Sequence, residues 1–431
     1  MSTSPAPADA LPAPLVVRTV ALDSLATGHD PADLLRLLPA QGGLVWVRRG
    51  DGLVGWGEAA RIPVSGPDRF AAADRAWREL LTHAVVRDEV GLPGTGPVAF
   101  GTFAFDSRSA AGGVLIVPSV LVGRRDGRAW VTTIGTTLAA PPAPIPDPDP
   151  VVEPGQVQLR DGTMDAAAWE QVVARGVQAI RAGRVDKVVL ARDVEARTEH
   201  PLDVRWALDR LADRYDSCWT FAVDDLIGAT PELLLRAERG LVTSRVLAGT
   251  IRRTGDDDAD IARAGILAHS SKDLEEHEYA VRSVAQALAP FCTSANVPDV
   301  PFVLSLPNVL HLASDITGVL AADHRSSLAL AAALHPTAAV CGTPTEAARE
   351  LIRELEQMDR GRYAGPVGWM GADGDGEWGI GLRSARLDPD DPHRVRLFAG
   401  CGVLAASSPA AELAESQAKL EPMKYALGAA R

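Results

Sequence analysis

Leu233-Leu234-Leu235-Arg236-Ala237-Glu238-Arg239-Gly240-Leu241-Val242-Thr243-Ser244-Arg245-Val246 holds two short strand-like runs, residues 233–237 and 241–246, separated by three residues that end in glycine. A gap this short joins antiparallel neighbours, because a parallel pair needs a crossover of about a dozen residues or more. Outward from this hairpin, further strand-like runs occur at 187–196, 218–223, 365–370, 377–386 and 394–400. Apolar residues at helical spacing predict helices over 164–182, 274–289 and 409–426. Thr343-Pro344-Thr345-Glu346 reads as a capping box with proline at the first helical position, opening one more helix. Helices and hairpin-linked strands mix without a regular βαβ repeat, so the expected class is α+β and not a doubly wound sheet.

Runs at 16–20, 43–48, 53–62 and 98–106, with glycine-containing turns between them, make residues 15–138 a β-rich N-terminal part. Residues 1–14, rich in Ala, Pro and Ser, read as a disordered tail. Residues 139–155 hold seven prolines in seventeen positions, too many for a helix interior or central strand, and read as a surface connection into residues 156–431. Gly374-Asp375-Gly376-Glu377-Trp378-Gly379 fits GxGxxG but precedes a strand, so it predicts a hairpin turn and no dinucleotide site.

A net charge of −13 argues against nucleic acid or an anionic membrane as partner, since either needs a basic surface. Cys218, Cys292, Cys341 and Cys401 form no CxxC pair, which predicts reduced thiols. No basic and apolar leader and no bilayer-length apolar run is present; a cytoplasmic enzyme without a membrane partner is expected.

Two acidic segments carry the chemistry: Ser271-Lys272-Asp273-Leu274-Glu275-Glu276-His277 and Glu412-Leu413-Ala414-Glu415-Ser416-Gln417-Ala418-Lys419. Asp273/Glu276 and Glu412/Glu415 are spaced i, i+3, so on helices each pair shares a face. Opposed, the faces would gather four carboxylates. Such a cluster calls for a hard cation, and Mg2+ takes oxygen ligands while leaving positions for an anionic substrate. Either segment alone is more simply a solvated helix face, with Glu415/Lys419 an ordinary i, i+4 ion pair.

The motifs around these segments are Lys187-Val188-Val189-Leu190-Ala191-Arg192, Thr230-Pro231-Glu232, Leu247-Ala248-Gly249-Thr250, His335-Pro336-Thr337-Ala338-Ala339, Tyr363-Ala364-Gly365-Pro366 and Ala399-Gly400-Cys401-Gly402. In this order the set resembles the chorismate-utilising enzymes, above all the isochorismate synthases of menaquinone and catecholate-siderophore biosynthesis. The resemblance implies two large, mostly antiparallel sheets packed together with helices outside, the N-terminal part belonging to the same fold. It implies a monomer, with chorismate as substrate and residues 156–431 as the chorismate-binding part. Lys187 is implied as general base for water and Glu232 as general acid for the departing hydroxyl. Burial would favour both roles by disfavouring the charged forms, and Mg2+ or Arg383 nearby would oppose the role of Glu232. Glu276 and Glu415 are implied as direct Mg2+ ligands, with Asp273 and Glu412 acting through water. Arg383, Tyr363, Lys419, His311, Ala339 and the backbone at Gly249, Thr250, Gly400 and Gly402 are implied to cradle the substrate. Lys187 stands where ammonia-using relatives carry Gln, and Ala248 where a nucleophilic Lys serves C4 amination. Ala339 replaces a Thr of the anthranilate and salicylate types, so isochorismate is the expected product and salicylate synthase the alternative. Thr345, where many relatives have Lys or Arg, has no physical explanation.

Overall fold

The computed structural model describes residues 14–22, 34–136, 150–322 and 326–429. The expected tail, apart from Pro14, and residues 139–149 of the proline-rich connection lie outside the described residues.

The opening hairpin forms as expected. Leu233–Glu238 and Leu241–Arg252 pair antiparallel with Glu238 opposite Leu241. Arg239 (φ 50°) and Gly240 (φ 80°) make the turn, the two left-handed residues that a tight two-residue hairpin demands.

This hairpin belongs to a ten-stranded sheet, in the order Cys292–Asn296, Val309–Leu320, Leu241–Arg252, Leu233–Glu238, Gly376–Ile380, Pro366–Gly371, Val98–Phe103, Gly113–Val117 and Ala60–Val64, with Phe302–Ser305 also on Val309–Leu320. A thirteen-stranded sheet runs Val157–Asp161, Lys187–Thr198, Arg394–Val403, Ser384–Leu387, Leu226–Thr230, Trp219–Val223, Leu44–Arg48, Asp51–Trp56, Val120–Arg125, Arg128–Gly135, Val16–Ala21 and Val85–Asp88. Gly342–Thr343 adds to the start of Lys187–Thr198. Among the described strands only Val16–Ala21 and Val85–Asp88 pair in parallel. Strands from before and after the proline-rich stretch are neighbours in both sheets: Leu44–Arg48 beside Trp219–Val223, and Val98–Phe103 beside Pro366–Gly371.

The sheets face each other across an apolar layer that includes Trp46, Phe221 and Leu226 from one and Phe100, Leu233 and Val367 from the other. Full burial of such side chains contributes roughly 1.5–3 kcal/mol each. Glu377 ties the layer together, accepting from the indole N–H of Trp46 at 3.0 Å and of Trp219 at 3.2 Å.

Two expected strands are in fact pairs of strands. The run 53–62 is broken after Trp56, and Ala60–Val64 lies in the other sheet. The run 377–386 ends at Ile380 and resumes at Ser384, again in the other sheet. Each break carries a glycine, Gly57 or Gly381, where the chain crosses between sheets. The expected capping box is also absent. The helix Thr345–Glu356 has Pro344 as its N-cap without a side-chain cap, because Thr343 is held in the ladder opposite Lys187. Eight α-helices are present among the described residues, including Arg69–Thr82, Val204–Arg214, Asp257–His269 and Ser327–Leu334, which the periodicity did not signal.

Candidate active site

The site lies where the chain crosses between sheets. Pro231-Glu232 links Leu226–Thr230 of one sheet to Leu233–Glu238 of the other, and Gly381-Leu382-Arg383 links Gly376–Ile380 to Ser384–Leu387. The two crossings touch: the Ile380 amide donates to the Glu232 carbonyl at 3.2 Å. Arg383 was expected on a strand. It sits instead in the crossing with φ 49°, a left-handed conformation that costs a non-glycine residue about 1–2 kcal/mol.

A small cavity of about 50 Å³ lies beside these crossings, with Glu232, His311, Arg383, Tyr363 and Lys419 in its wall. Gly249, Thr250, Ala339, Gly400, Gly402 and Glu276 of the expected set also line it, whereas Lys187, Asp273, Glu412 and Glu415 do not. Lys187 lies behind this wall, fully buried, with Nζ 3.2 Å from Glu276 Oε1. Its counter-ion is therefore Glu276, and the ammonium has no protein hydrogen-bond partner of good geometry. Gly402 permits this packing, since a Cβ there would fall 2.0 Å from Glu276 Oε1 and 3.2 Å from Lys187 Cε.

Glu232 is 4% exposed, and burial pushes its carboxyl up to about 8 against the opposing charges of Lys187, Arg383 and Lys419. Desolvation wins over three cations, so the group holds a proton at neutral pH.

The substrate-facing groups are held by one another. Gly249 (φ 80°) is the extra residue of a bulge that sets Ala248 opposite Leu312 and Thr250 opposite His311. His311 Nδ1 lies 3.0 Å from Thr250 Oγ1, and Arg383 Nη2 donates to His311 Nε2 at 2.9 Å. A guanidinium can only donate, so Nε2 accepts and the ring proton is on Nδ1. Burial and the adjacent Arg383 charge keep this imidazole neutral, far below its ordinary value. Arg383 Nε has no partner, leaving an unused donor in a buried fork. Tyr363 stacks on Phe398 with ring centroids 5.1 Å apart, and Lys419 donates to the Gly400 carbonyl at 3.0 Å and pairs with Glu415 at 2.6 Å.

Both acidic pairs are helical, on Ser271–Leu288 and Pro409–Leu427. Lys272 Nζ bridges the helices to Glu412 Oε1 at 2.8 Å. Asp273 accepts from the Ser270 hydroxyl, which in turn caps the helix at the Asp273 amide. The tightest set of ligand atoms among the described residues is Glu412, Glu415 and Cys401, within 4.8 Å of one another; Glu276 and Asp273 lie outside it. Cys401 was not singled out as a ligand by the sequence; its buried thiol donates to the Glu412 carbonyl at 3.2 Å, and burial, reinforced by Glu415, pushes it well above its ordinary value. Four carboxylates share three lysines, Lys187, Lys272 and Lys419. The shortfall is visible in Asp273 and Glu412, whose carboxyls are raised by burial and by neighbouring carboxylates. The carboxylates are oxygen donors short of one cation, a donor type that suits Mg2+, although Glu412 and Glu415 lie together and Glu276 and Asp273 stand apart from them.

The profile of the family described as chorismate binding enzyme matches residues 26–141 and 147–428. The chain belongs to the chorismate-binding enzymes. Among curated members, the isochorismate synthase DhbC of Bacillus subtilis is 40% identical over 271 residues, 60% of this chain and 67% of its own length. The salicylate biosynthesis isochorismate synthase of Pseudomonas aeruginosa is 33% identical over 436 residues, 93% of this chain and 89% of its own. A crystal structure described as a 2,3-dihydroxybenzoate-specific isochorismate synthase, DhbC from Bacillus anthracis, superposes with a TM-score of 0.74 at 32% identity, covering 92% of this chain and 98% of that one. This chorismate-binding enzyme thus has the sheet pair of its relatives, and no helix among its described residues is long and apolar enough to cross a membrane. Sequence reasoning missed Arg360, which also lines the cavity.

Proposed function

We propose that this enzyme converts chorismate to isochorismate, adding water at C2, shifting the ring double bonds and expelling the C4 hydroxyl. The observation that carries the reading is Glu232, a carboxyl kept protonated by burial in the cavity wall and therefore able to donate to a leaving hydroxyl. Lys187, once its ammonium proton passes to the Glu276 carboxylate 3.2 Å away, is the base for water; Arg383 and Tyr363 receive the ring carboxylate, and Lys419 adds positive charge. His311 offers no charge; its role is to hold the Arg383 fork in plane. Glu276 and Glu415, with Asp273 and Glu412 beside them, would hold Mg2+, which supplies positive charge for a substrate carboxylate. The relatives' names place isochorismate in different pathways, and menaquinone or catecholate-siderophore synthesis in the cytoplasm is the proposed setting. A monomer is the proposed working unit.

Product analysis tests the reaction. One C–O bond is made and one broken, so chorismate and isochorismate should reach a ratio of order one, the same from either side. Little pyruvate should appear in a coupled lactate dehydrogenase assay. Stoichiometric pyruvate with salicylate would assign the chain to salicylate synthesis, and neither product would remove the isomerase reading.

The proton on Glu232 gives the pH dependence its sign. Its acid form predominates below about 8 and is lost above. Forward kcat should therefore fall on the alkaline side through that region, and Glu232→Gln should lose roughly 10²–10⁴-fold in both directions. A Gln variant retaining wild-type kcat and alkaline limb would place the acid elsewhere.

A further inference from the structure

The buried pair Glu356–Arg360 stands outside the acid, base and carboxylate-binding groups, yet three of its five hydrogen bonds go to backbone beside the site. Glu356 ends the helix Thr345–Glu356 and is 1% exposed; Arg360 follows four residues later and is 4% exposed. Arg360 Nε donates to Glu356 Oε2 at 2.9 Å, and Nη2 donates to Glu356 Oε1. The fork then reaches two different segments: Nη1 donates to the Val340 carbonyl at 2.9 Å and Nη2 to the Val189 carbonyl at 2.7 Å. Glu356 Oε1 in turn accepts the Ala191 amide at 2.7 Å.

These contacts fall at a gap in the sheet. Along one edge of Lys187–Thr198, Lys187 and Val188 pair with Thr343 and Gly342, and the Val189 amide donates to the Cys341 carbonyl at 2.8 Å. Backbone pairing on that edge resumes only at Val194, opposite Asp161. Between these points, side chains do the work of a neighbouring strand: Arg360 takes the Val189 carbonyl, Glu356 the Ala191 amide, and the Trp169 indole the Ala191 carbonyl at 3.1 Å. Val189 and Val340 both line the cavity, next in sequence to Val188 and to Ala339.

We infer that the Glu356–Arg360 pair is a positioning device that sets the strand bearing Lys187 against the Ala339–Val340 wall of the cavity. A planar guanidinium can hold two carbonyls from separate segments at once; an ammonium is a point donor and cannot copy the fork. Because Lys187 acts on water while Arg383 and Tyr363 hold the substrate, a slip between strand and wall misaligns the water without releasing chorismate. The inference rests on the isomerase reading of the cavity.

Arg360→Lys keeps the charge beside Glu356 and loses the fork. Measured per folded molecule, kcat should fall about 10²-fold, the cost of a misplacement near 1 Å. KM for chorismate should stay within about threefold, because the groups that hold the ground state are untouched. The double variant Glu356→Leu/Arg360→Met removes both charges and so leaves no unpaired buried ion. It should fold, as judged by circular dichroism, and show the same loss of kcat. Wild-type kcat in either folded variant, or a loss confined to KM, would overturn the inference. Hydrogen exchange needs no substrate: in Arg360→Lys the amides of 189–191 and 339–341 should exchange faster together. Unchanged protection in both segments would overturn the coupling even if the wild-type enzyme produced no isochorismate, whereas joint loosening in an enzyme inert toward chorismate would sink only the proposed reaction.

Discussion

Lys187→Ala should abolish water addition while leaving chorismate binding nearly intact: kcat falls about 10³-fold, within the range for removing a general base, and Kd for chorismate shifts less than about threefold. The side chain is fully buried behind Glu276, away from the carboxylate-binding fork of Arg383 and from His311, so the ground-state contacts survive its removal. A group that acts in the transition state alone lowers kcat and kcat/KM together. Stability supplies a second readout. Glu276 is a buried carboxyl that burial raises and Lys187, with Lys419, brings down below its ordinary value. A depressed carboxyl contributes stability above its unfolded pKa, and that contribution is lost as pH falls through the folded value. Deleting Lys187 removes the largest favourable partner, so the variant should lose stability at neutral pH and lose less of it on acidification. A folded Lys187→Ala enzyme with kcat within about tenfold of wild type would require another base.

The parts of the fold that the sequence hid are those where one run of chain serves two sheets. Residues 53–62 and 377–386 each look like one long strand, because strand-like residues continue across the crossing, whether the far half is buried at its start, as at Ser384, or only partly buried, as in Ala60–Val64. Gly57 and Gly381 mark the change, but Gly55 and Gly379 two residues earlier stay within their strands, and a glycine within a strand pattern reads equally as a bulge. The second of these errors matters for chemistry, since the crossing at Gly381 is what aims Arg383 into the cavity. The helix Ser327–Leu334 was invisible for another reason: it is apolar nearly all round, so it has no periodic stripe to detect. Asp257–His269 has the opposite defect, with only Asp260 and Leu267 buried.

The site was legible where chemistry needs particular residue types. Glu232, His311, Arg383, Tyr363 and Lys419 were named from motifs and converge on one cavity. The lysine contacts of the carboxylates were not legible, apart from Glu415/Lys419 at i, i+4. Lys187/Glu276 and Lys272/Glu412 join residues distant in sequence, and no local spacing encodes such pairs. Arg360 was missed for the same reason: its partners Val189 and Val340 are backbone carbonyls, which any sequence supplies.

Those lysine contacts sharpen the expected response to metal. Removing Mg2+ with EDTA should reduce turnover to background, and adding Mg2+ should restore it fully. Without the ion, Glu276 in the cavity wall, with Asp273, Glu412 and Glu415 outside that wall, opposes a dianionic substrate in a chain of net charge −13, and Lys187, Lys272 and Lys419 pair with Glu276, Glu412 and Glu415. Binding should also be visible without substrate: Mg2+ at about a hundredfold over its Kd should add about 2.7 kcal/mol to unfolding stability. Glu276→Gln and Glu415→Gln keep side-chain size and remove one charge each. Each should abolish both the Mg2+-dependent stabilisation and turnover while the circular dichroism spectrum stays that of the wild type. The two glutamates sit on different helices, so equal losses from both are expected only when one ion draws on both. If Glu415→Gln were inert and Glu276→Gln damaging, the loss at Glu276 would be that of the Lys187 counter-ion, and the shared metal site would fall. Wild-type turnover in EDTA would remove the metal altogether.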